Sequence, residues 1–440
     1  MGNHKFMTRL TAIICALATL SFTAKAQVVF DDVNVLNIEH GTVDEHQRVV
    51  VDGDRIIAVG SKSVISIPSG ARVVDASGKY LMPGLGEMHG HIPPITSGKQ
   101  AIADTLFLYV SNGVTTVRGM LGSEGQLELR KQANSGEITA PTLYLAGPSF
   151  NGNSVTSPEQ ASAKVLKQVD ESWDLLKVHP GLTLPEYQAM AKTANEAGIE
   201  FGGHIPDQVG LLNALSVSQR TIDHLDGYIP FVEGAHKLAD DAKLVEAAKL
   251  TREARVGVVP TIALWKVLLR ADNLDRLKAL PELKYMPKAT REGWINYYKQ
   301  PQNIAFLRGS APEIRHQNRL KLLKVLSDEG VEILFGTDAP QVFSVPGFSI
   351  HNEMATMQEA GMTPQEILKS ATLAVGNYFK TKDRFGQVRA GYRADLILLN
   401  GNPLTDLEYM KNPAGVVQRG HWLDRKTIDT ELAAIEARYK

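Results

Sequence analysis

The sequence predicts an α/β fold: a (β/α)8 TIM barrel with a small β-sandwich domain formed from both termini. Three observations carry this. Eight short apolar runs ending in polar or glycine residues alternate with helical periodicity. Hairpin-like β stretches flank that pattern on both sides. The 440 residues are 43% hydrophobic and 22% charged, a globular composition with ample apolar material for a core. Lys+Arg is 47 and Asp+Glu is 48, so no basic excess exists to neutralise phosphates, which argues against a nucleic-acid partner.

Residues 1–26 form a signal-peptide pattern. Lys5 and Arg9 open it, an apolar run covers Leu10 to Phe22, and Ala24-Lys25-Ala26 supplies a small-x-small cleavage site. The run is short for a bilayer span. Cleavage before Gln27 removes Lys5, Arg9 and Lys25, taking the net charge from −1 to −4. It also removes Cys15, the only cysteine, so the mature chain has no disulfide to rely on. The expected location is secreted, periplasmic in a bacterium with an outer membrane. No later apolar run is long enough to span a membrane.

Residues 27–80 and 386–440 are expected to make the composite β-domain. Val49-Val50-Val51, Asp52-Gly53-Asp54 and Ile56 to Val59 form a hairpin signature. Ala394 to Leu399 and Gly415 to Gln418 are its C-terminal strands, followed by a charged helix from Ile428 to Tyr439. Residues 81–385 are expected to make the barrel. Its eight runs end near His91, Arg118, Gly147, Lys177, His204, His224, Thr261 and Asp338. Ser157-Pro158-Glu159-Gln160, Thr183-Leu184-Pro185-Glu186 and Thr363-Pro364-Gln365-Glu366 are expected capping boxes that start helices. Residues 262–330, with Trp265, Trp294, Tyr297 and Tyr298, are expected to be a helical insertion over the barrel mouth.

The chemistry-bearing residues sit at the ends of these runs. In Met88-His89-Gly90-His91 the histidines are two apart, so on a strand both imidazoles point the same way and can share a metal. Lys177 lies in the mostly apolar run Trp173 to Val178. An inward lysine there is costly unless its charge is removed or paired. Carboxylation by CO₂ would make it an anionic bridge between two metals; a snorkelling lysine is the plainer alternative. His204, His224 and Asp338 each end a run, on the face where barrels place catalysis.

The order HxH, Lys, His, His, Asp, flanked by a split β-domain, resembles the amidohydrolase superfamily of metal-dependent hydrolases. "LMPGLGEMHGH", "FGTDAP" and "GQVRAGYRADLILLNGNPL" carry the resemblance across nearly all of the mature chain. Within the superfamily it looks closest to secreted imidazolonepropionase-like and Xaa-Pro dipeptidase-like members. The resemblance implies a binuclear centre. His89, His91 and Asp338 would hold the buried ion, His204 and His224 the more exposed one, and a CO₂-derived carbamate on Lys177 would bridge two divalent metals, zinc by default. It further implies hydrolysis of an amide-type bond in a dipeptide or N-acyl amino acid by a metal-bridged hydroxide, with Asp338 as proton shuttle.

Four neighbours are candidates for substrate contact, each with a plainer alternative. Tyr228 could hydrogen-bond a carbonyl or pack in a loop. Arg118 could clamp a carboxylate or form an ion pair behind the site. His179 could touch substrate or orient the carbamate. His351 could line the pocket or cap a helix. Competing functions in the same site are lactone, cyclic amide or phosphoester hydrolysis. A mononuclear deaminase would dispense with Lys177, and a non-catalytic binding protein would have lost ligands that are all present here. The expected partner is a small-molecule or short-peptide substrate. No self-evident interface pattern addresses a homo-oligomer, which stays open.

Overall fold

The computed structural model describes residues 27–300 and 311–440. The expected signal peptide, and residues 301–310 of the expected insertion, lie outside the described residues.

The N-terminal strands are β1 (Val28–Asn37), β2 (Thr42–Asp52), β3 (Arg55–Ser61), β4 (Arg72–Asp75) and β5 (Tyr80–Pro83). The β2–β3 hairpin forms as its turn residues dictate: Val51 pairs with Ile56, Asp52 with Arg55, and Gly53 takes φ 56° at the reversal.

Seven parallel strands follow: β6 (Leu85–Gly90), β7 (Val114–Gly119), β8 (Thr142–Leu145), β9 (Leu176–Val178), β10 (Phe201–Gly203), β11 (Thr221–Asp223) and β12 (Gly257–Val259). They run as β6-β7-β8 and β9-β10-β11-β12, joined by parallel bridges Ala146 to Leu175 and Phe150 to Val178. The eighth run, residues 331–338, is not a regular strand, yet its backbone reaches both edges. Leu334 N donates to Val258 O at 2.9 Å, Met88 N to Phe335 O at 2.8 Å, and Asp338 N to His89 O at 2.7 Å. Gly336 permits this approach, since a Cβ there would lie 2.9 Å from His89 N. The chain therefore has a TIM-barrel-type α/β fold.

β13 (Leu396–Leu399), β14 (Gly415–Gln418) and β15 (His421–Asp424) return to the N-terminal strands. The expected sandwich appears as one continuous sheet in the order β15-β14-β13-β5-β1-β2-β3, with β4 beside β1. Strand β5 belongs to this sheet through its pairing with β13, so the sheet extends to Pro83, past the expected boundary at residue 80. Phe30, Val49, Ile56, Leu81, Leu396 and Val417 fill its core.

Two of the expected capping boxes form in full, at Thr183/Glu186 and Thr363/Glu366. The third is half a box. Ser157 caps Gln160 N, but Gln160 Oε1 accepts from Thr156 N at 3.0 Å instead of from Ser157. Residues 262–300 carry the helices Ile262–Leu268, Leu274–Lys278 and Lys288–Lys299. The next helix, Pro312–Asp328, buries Leu322, Leu323 and Leu326 in the main core, so it packs as part of the barrel's outer layer.

Buried Glu353 secures one helix start near the site. Its carboxylate accepts Ile262 N at 2.9 Å and Ala263 N at 2.8 Å. Burial pushes its pKa up to about 7. A carboxyl with a raised folded pKa loses stability as pH climbs above its unfolded value, because ionisation is then resisted only in the fold. Denaturant unfolding of wild type should therefore lose up to ~3 kcal/mol between pH 5 and pH 8 from this group. Glu353→Gln, which resembles the protonated side chain, should remove that part of the slope. Parallel pH slopes in the two proteins would refute this account.

Candidate metal centre

Short strands deliver the polar residues to one cavity of about 960 Å³. His89, His91, His179, His204, His224 and Asp338 line it. His89 and His91 share a side, as their spacing requires, with ring centroids 5.4 Å apart. His224 stands 4.4 Å from both His89 and His204 by ring centroids. One ligand atom from each of His89, His91 and Asp338 lies within 4.8 Å of the others. Asp338 Oδ1 is 2.6 Å from His91 Nε2 and 3.6 Å from His89 Nε2.

The backbone bends to make this possible. His224, Leu225, Thr261 and Asp338 have φ of 64°, 55°, 46° and 61°. Left-handed residues without glycine are uncommon, and here they gather at one site. These bends end the strands and turn side chains into the cavity that simple alternation would send elsewhere.

Each of three histidines has one nitrogen committed to an acceptor. His89 Nδ1 meets Asp223 Oδ2 at 2.6 Å, His204 Nδ1 meets Asp226 Oδ2 at 2.7 Å, and His224 Nδ1 meets Thr261 Oγ1 at 2.7 Å. The carboxylate partners fix the proton of His89 and His204 on Nδ1 and leave Nε2 as a lone-pair donor, and the Thr261 hydroxyl can accept from His224 in the same way. His224 Nε2 is buried and has no hydrogen-bond partner. Burial, aided by the neighbouring cations, holds the imidazoles of His89 and His224 neutral. Neutral imidazoles with Nε2 lone pairs turned towards a carboxylate fit a transition-metal ion.

Lys177 is 0% exposed, and its Nζ lies 3.1 Å from His89 Nε2. Among the described residues no carboxylate comes within ion-pair distance of it. Burial lowers its pKa to about 8. Gly203, at φ 119°, gives it room: a Cβ there would lie 2.9 Å from Lys177 Cδ and 2.6 Å from Val178 O.

The structure places three candidate substrate residues outside the cavity lining. Tyr228 is buried and turned from the cavity, its hydroxyl 2.8 Å from Thr251 Oγ1; the left-handed turn at Gly227 rotates it into the core. Arg118 is fully buried beneath the site, donating to Met88 O and Thr221 Oγ1 and pairing with Asp223, because strand β7 points it to the barrel axis. His351 bonds Asn112 Oδ1 at 3.2 Å from helix Ser349–Glu359, outside the cavity wall. His179 does line the cavity, its ring centroid 5.1 Å from that of His204.

Sequence reasoning missed Asp223, Asp226, Arg315 and Arg319. Asp223 and Asp226 flank His224 within "DHLD", a signal available in the sequence. Replacing Asp226 by Asn should weaken metal binding ~10–100-fold by freeing the His204 ring. Titration of metal-stripped D226N protein reads this directly; wild-type affinity would make the bond incidental.

The family model described as the amidohydrolase family matches residues 80–423, most of the chain. The chain belongs to the amidohydrolase family. Among curated relatives of this amidohydrolase, the ochratoxinase of Aspergillus niger is 25% identical over 83% of this chain and 80% of its own length. The imidazolonepropionase of Fusobacterium nucleatum subsp. nucleatum is 23% identical over 83% of this chain and 87% of its own. A solved Xaa-Pro dipeptidase with methionine bound in its active site superposes with a TM-score of 0.69 at 20% identity. It covers 91% of this chain and 100% of that one. A bottromycin amidohydrolase superposes with a TM-score of 0.71 at 22% identity, covering 93% and 90%. At these identities the solved structures are similar in fold. Family membership makes this amidohydrolase a metal-dependent hydrolase acting on carbon–nitrogen bonds of small substrates.

Proposed function

We propose that this amidohydrolase is an exported enzyme that cleaves an amide-type bond in a dipeptide or N-acyl amino acid. The eight runs close as a (β/α)8 barrel, accompanied by a β-domain built from the segments on either side of it. His89, His91 and Asp338 would hold one divalent ion, zinc by default, and His204 and His224 a second, with Lys177 as a carbamate supplying an anionic ligand to the pair. Such ions, when bound, acidify water and polarise a carbonyl. Asp338 accepts the proton of the attacking water and returns it to the leaving amine. His179, beside His204, faces the substrate. The signal-like residues 1–26 support export, and no helix among the described residues is long and apolar enough to cross a membrane.

The observation that carries this reading is Lys177: buried, without a carboxylate partner among the described residues, and 3.1 Å from a histidine nitrogen. A lysine kept there as ammonium would be fully buried with no carboxylate in direct contact among the described residues. As a carbamate it becomes an anionic ligand. Elemental mass spectrometry on protein produced with bicarbonate tests it. About two metals per chain in wild type and fewer in Lys177→Ala are expected. A single metal, unchanged in the variant, would instead favour the three-donor group His89, His91 and Asp338 acting alone.

A further inference from the structure

One part of the cavity wall is cationic. Arg315 and Arg319 lie one turn apart on helix Pro312–Asp328, and both line the cavity. Arg319 is 6% exposed. Its Nη1 donates to the carbonyl of His224, and its guanidinium lies 4.2 Å from the centroid of the Trp265 ring. Its Nε is buried with no hydrogen-bond partner. Arg315 donates Nε to Ala235 O at 3.1 Å, and its terminal nitrogens find no partner among the described residues. Neither has a carboxylate within ion-pair distance among the described residues.

Buried arginines are ordinarily paired. Two guanidiniums at i and i+4 also repel one another. Both costs are relieved if an anion enters the cavity. The fork of a guanidinium matches a carboxylate, and held on an aromatic face it is already oriented. Arg319 is bonded to the main chain of His224, so an anion seated on it lies close to the metal-ligand cluster. In an amide substrate, the carboxylate nearest the scissile bond is the one on the α-carbon attached to the amide nitrogen. Leu264, Trp265 and Trp294 border the same space and suit an apolar side chain.

We propose that Arg315 and Arg319 anchor the free α-carboxylate of the amino acid that leaves, restricting the enzyme to N-acyl amino acids and dipeptides with an apolar residue at that position. This rests on reading the site as an amide hydrolase and adds the group that selects the substrate. Carboxamides, and peptides extended beyond that residue, lack the anion and are poor substrates.

The test compares metal-loaded wild type, Arg315→Gln and Arg319→Lys on N-acetyl-L-phenylalanine and N-acetyl-L-phenylalaninamide, reading acetate release. Wild type should favour the carboxylate ~100-fold in kcat/KM, since charge-assisted hydrogen bonds are lost with the carboxamide. In Arg315→Gln that ratio should collapse, chiefly through KM, with metal content unchanged. Arg319→Lys keeps a charge but loses the fork, and should lower the ratio in part. Equal turnover of both compounds by wild type, or an unchanged ratio in both variants, overturns the anchor while leaving the hydrolase reading intact. Tryptophan fluorescence titration separates the two claims if neither compound is cut. Salt-sensitive binding of the carboxylate alone, lost in Arg315→Gln, sustains the anchor and removes this substrate class from the reaction. Equal binding of the two compounds overturns the anchor.

Discussion

Asp338→Asn should lower kcat for amide hydrolysis by ~10³-fold with KM little changed, the span expected when a positioned proton carrier is lost. The side chain is placed for that role. Its Oδ1 lies 2.6 Å from His91 Nε2, and its Oδ2 lies 3.8 Å from His224 Nδ1, so the carboxylate reaches across the ring cluster. Asn keeps the volume but offers one oxygen and cannot take up a proton. Because Asp338 is also a proposed ligand, lost rate alone is ambiguous. Metal content must be measured on the same preparation. A variant that retains its metal and loses turnover identifies the proton carrier. One that loses both assigns Asp338 to metal holding first. Turnover near the wild-type rate in a metal-loaded variant would end the shuttle reading.

The strand ends were the legible part of this site. His89 and His91 obey the two-residue period, so spacing alone placed them on one side. Lys177 stood out because an apolar strand rarely hosts a lysine. What spacing could not give was direction beyond the last regular residue. Asp223 and His224 are consecutive, which alternation would send to opposite faces, yet both act at the centre. The left-handed turn at His224 makes this possible, and no residue type announces it. Tyr228 looked like a mouth residue by distance along the chain, but the turn at Gly227 sends it into the core. Arg315 and Arg319 lie some 90 residues beyond His224 in a charged stretch, where nothing local separates a cavity-facing arginine from a solvated one. The fold was legible for a different reason. Eight apolar runs and two capping boxes are local signals repeated many times, so single errors do not accumulate. The eighth run shows the limit: its apolar pattern is strand-like, but Gly336 and the left-handed Asp338 leave it joined to its neighbours by a few backbone bonds.

Asp223→Asn should be the most damaging change outside the ligand set, lowering stability by ~3–5 kcal/mol. Asp223 is fully buried and serves two partners at once. Arg118 Nη2 pairs with its Oδ2 at 3.1 Å, and His89 Nδ1 meets the same oxygen at 2.6 Å. Burial alone would raise its pKa, but the Arg118 guanidinium beside it outweighs that and holds it below the ordinary value. A depressed carboxyl contributes stability above its unfolded pKa and loses it as pH falls through the folded one, so the network is intact at neutral pH. Removing the charge strands the Arg118 guanidinium, which is 0% exposed. It also turns the acceptor of His89 Nδ1 into a neutral amide, so the ring is no longer fixed with Nε2 free. Two readouts should therefore move together: a lower thermal midpoint in metal-stripped protein, and metal affinity weakened ~10–100-fold. The double variant Asp223→Asn/Arg118→Met should recover part of the midpoint, because an apolar replacement no longer buries an unpaired charge. It should not recover metal affinity, since His89 stays unsupported. Recovery of both would mean that Asp223 serves only to neutralise Arg118. Loss of neither in the single variant would mean that the buried carboxylate is not what orients His89.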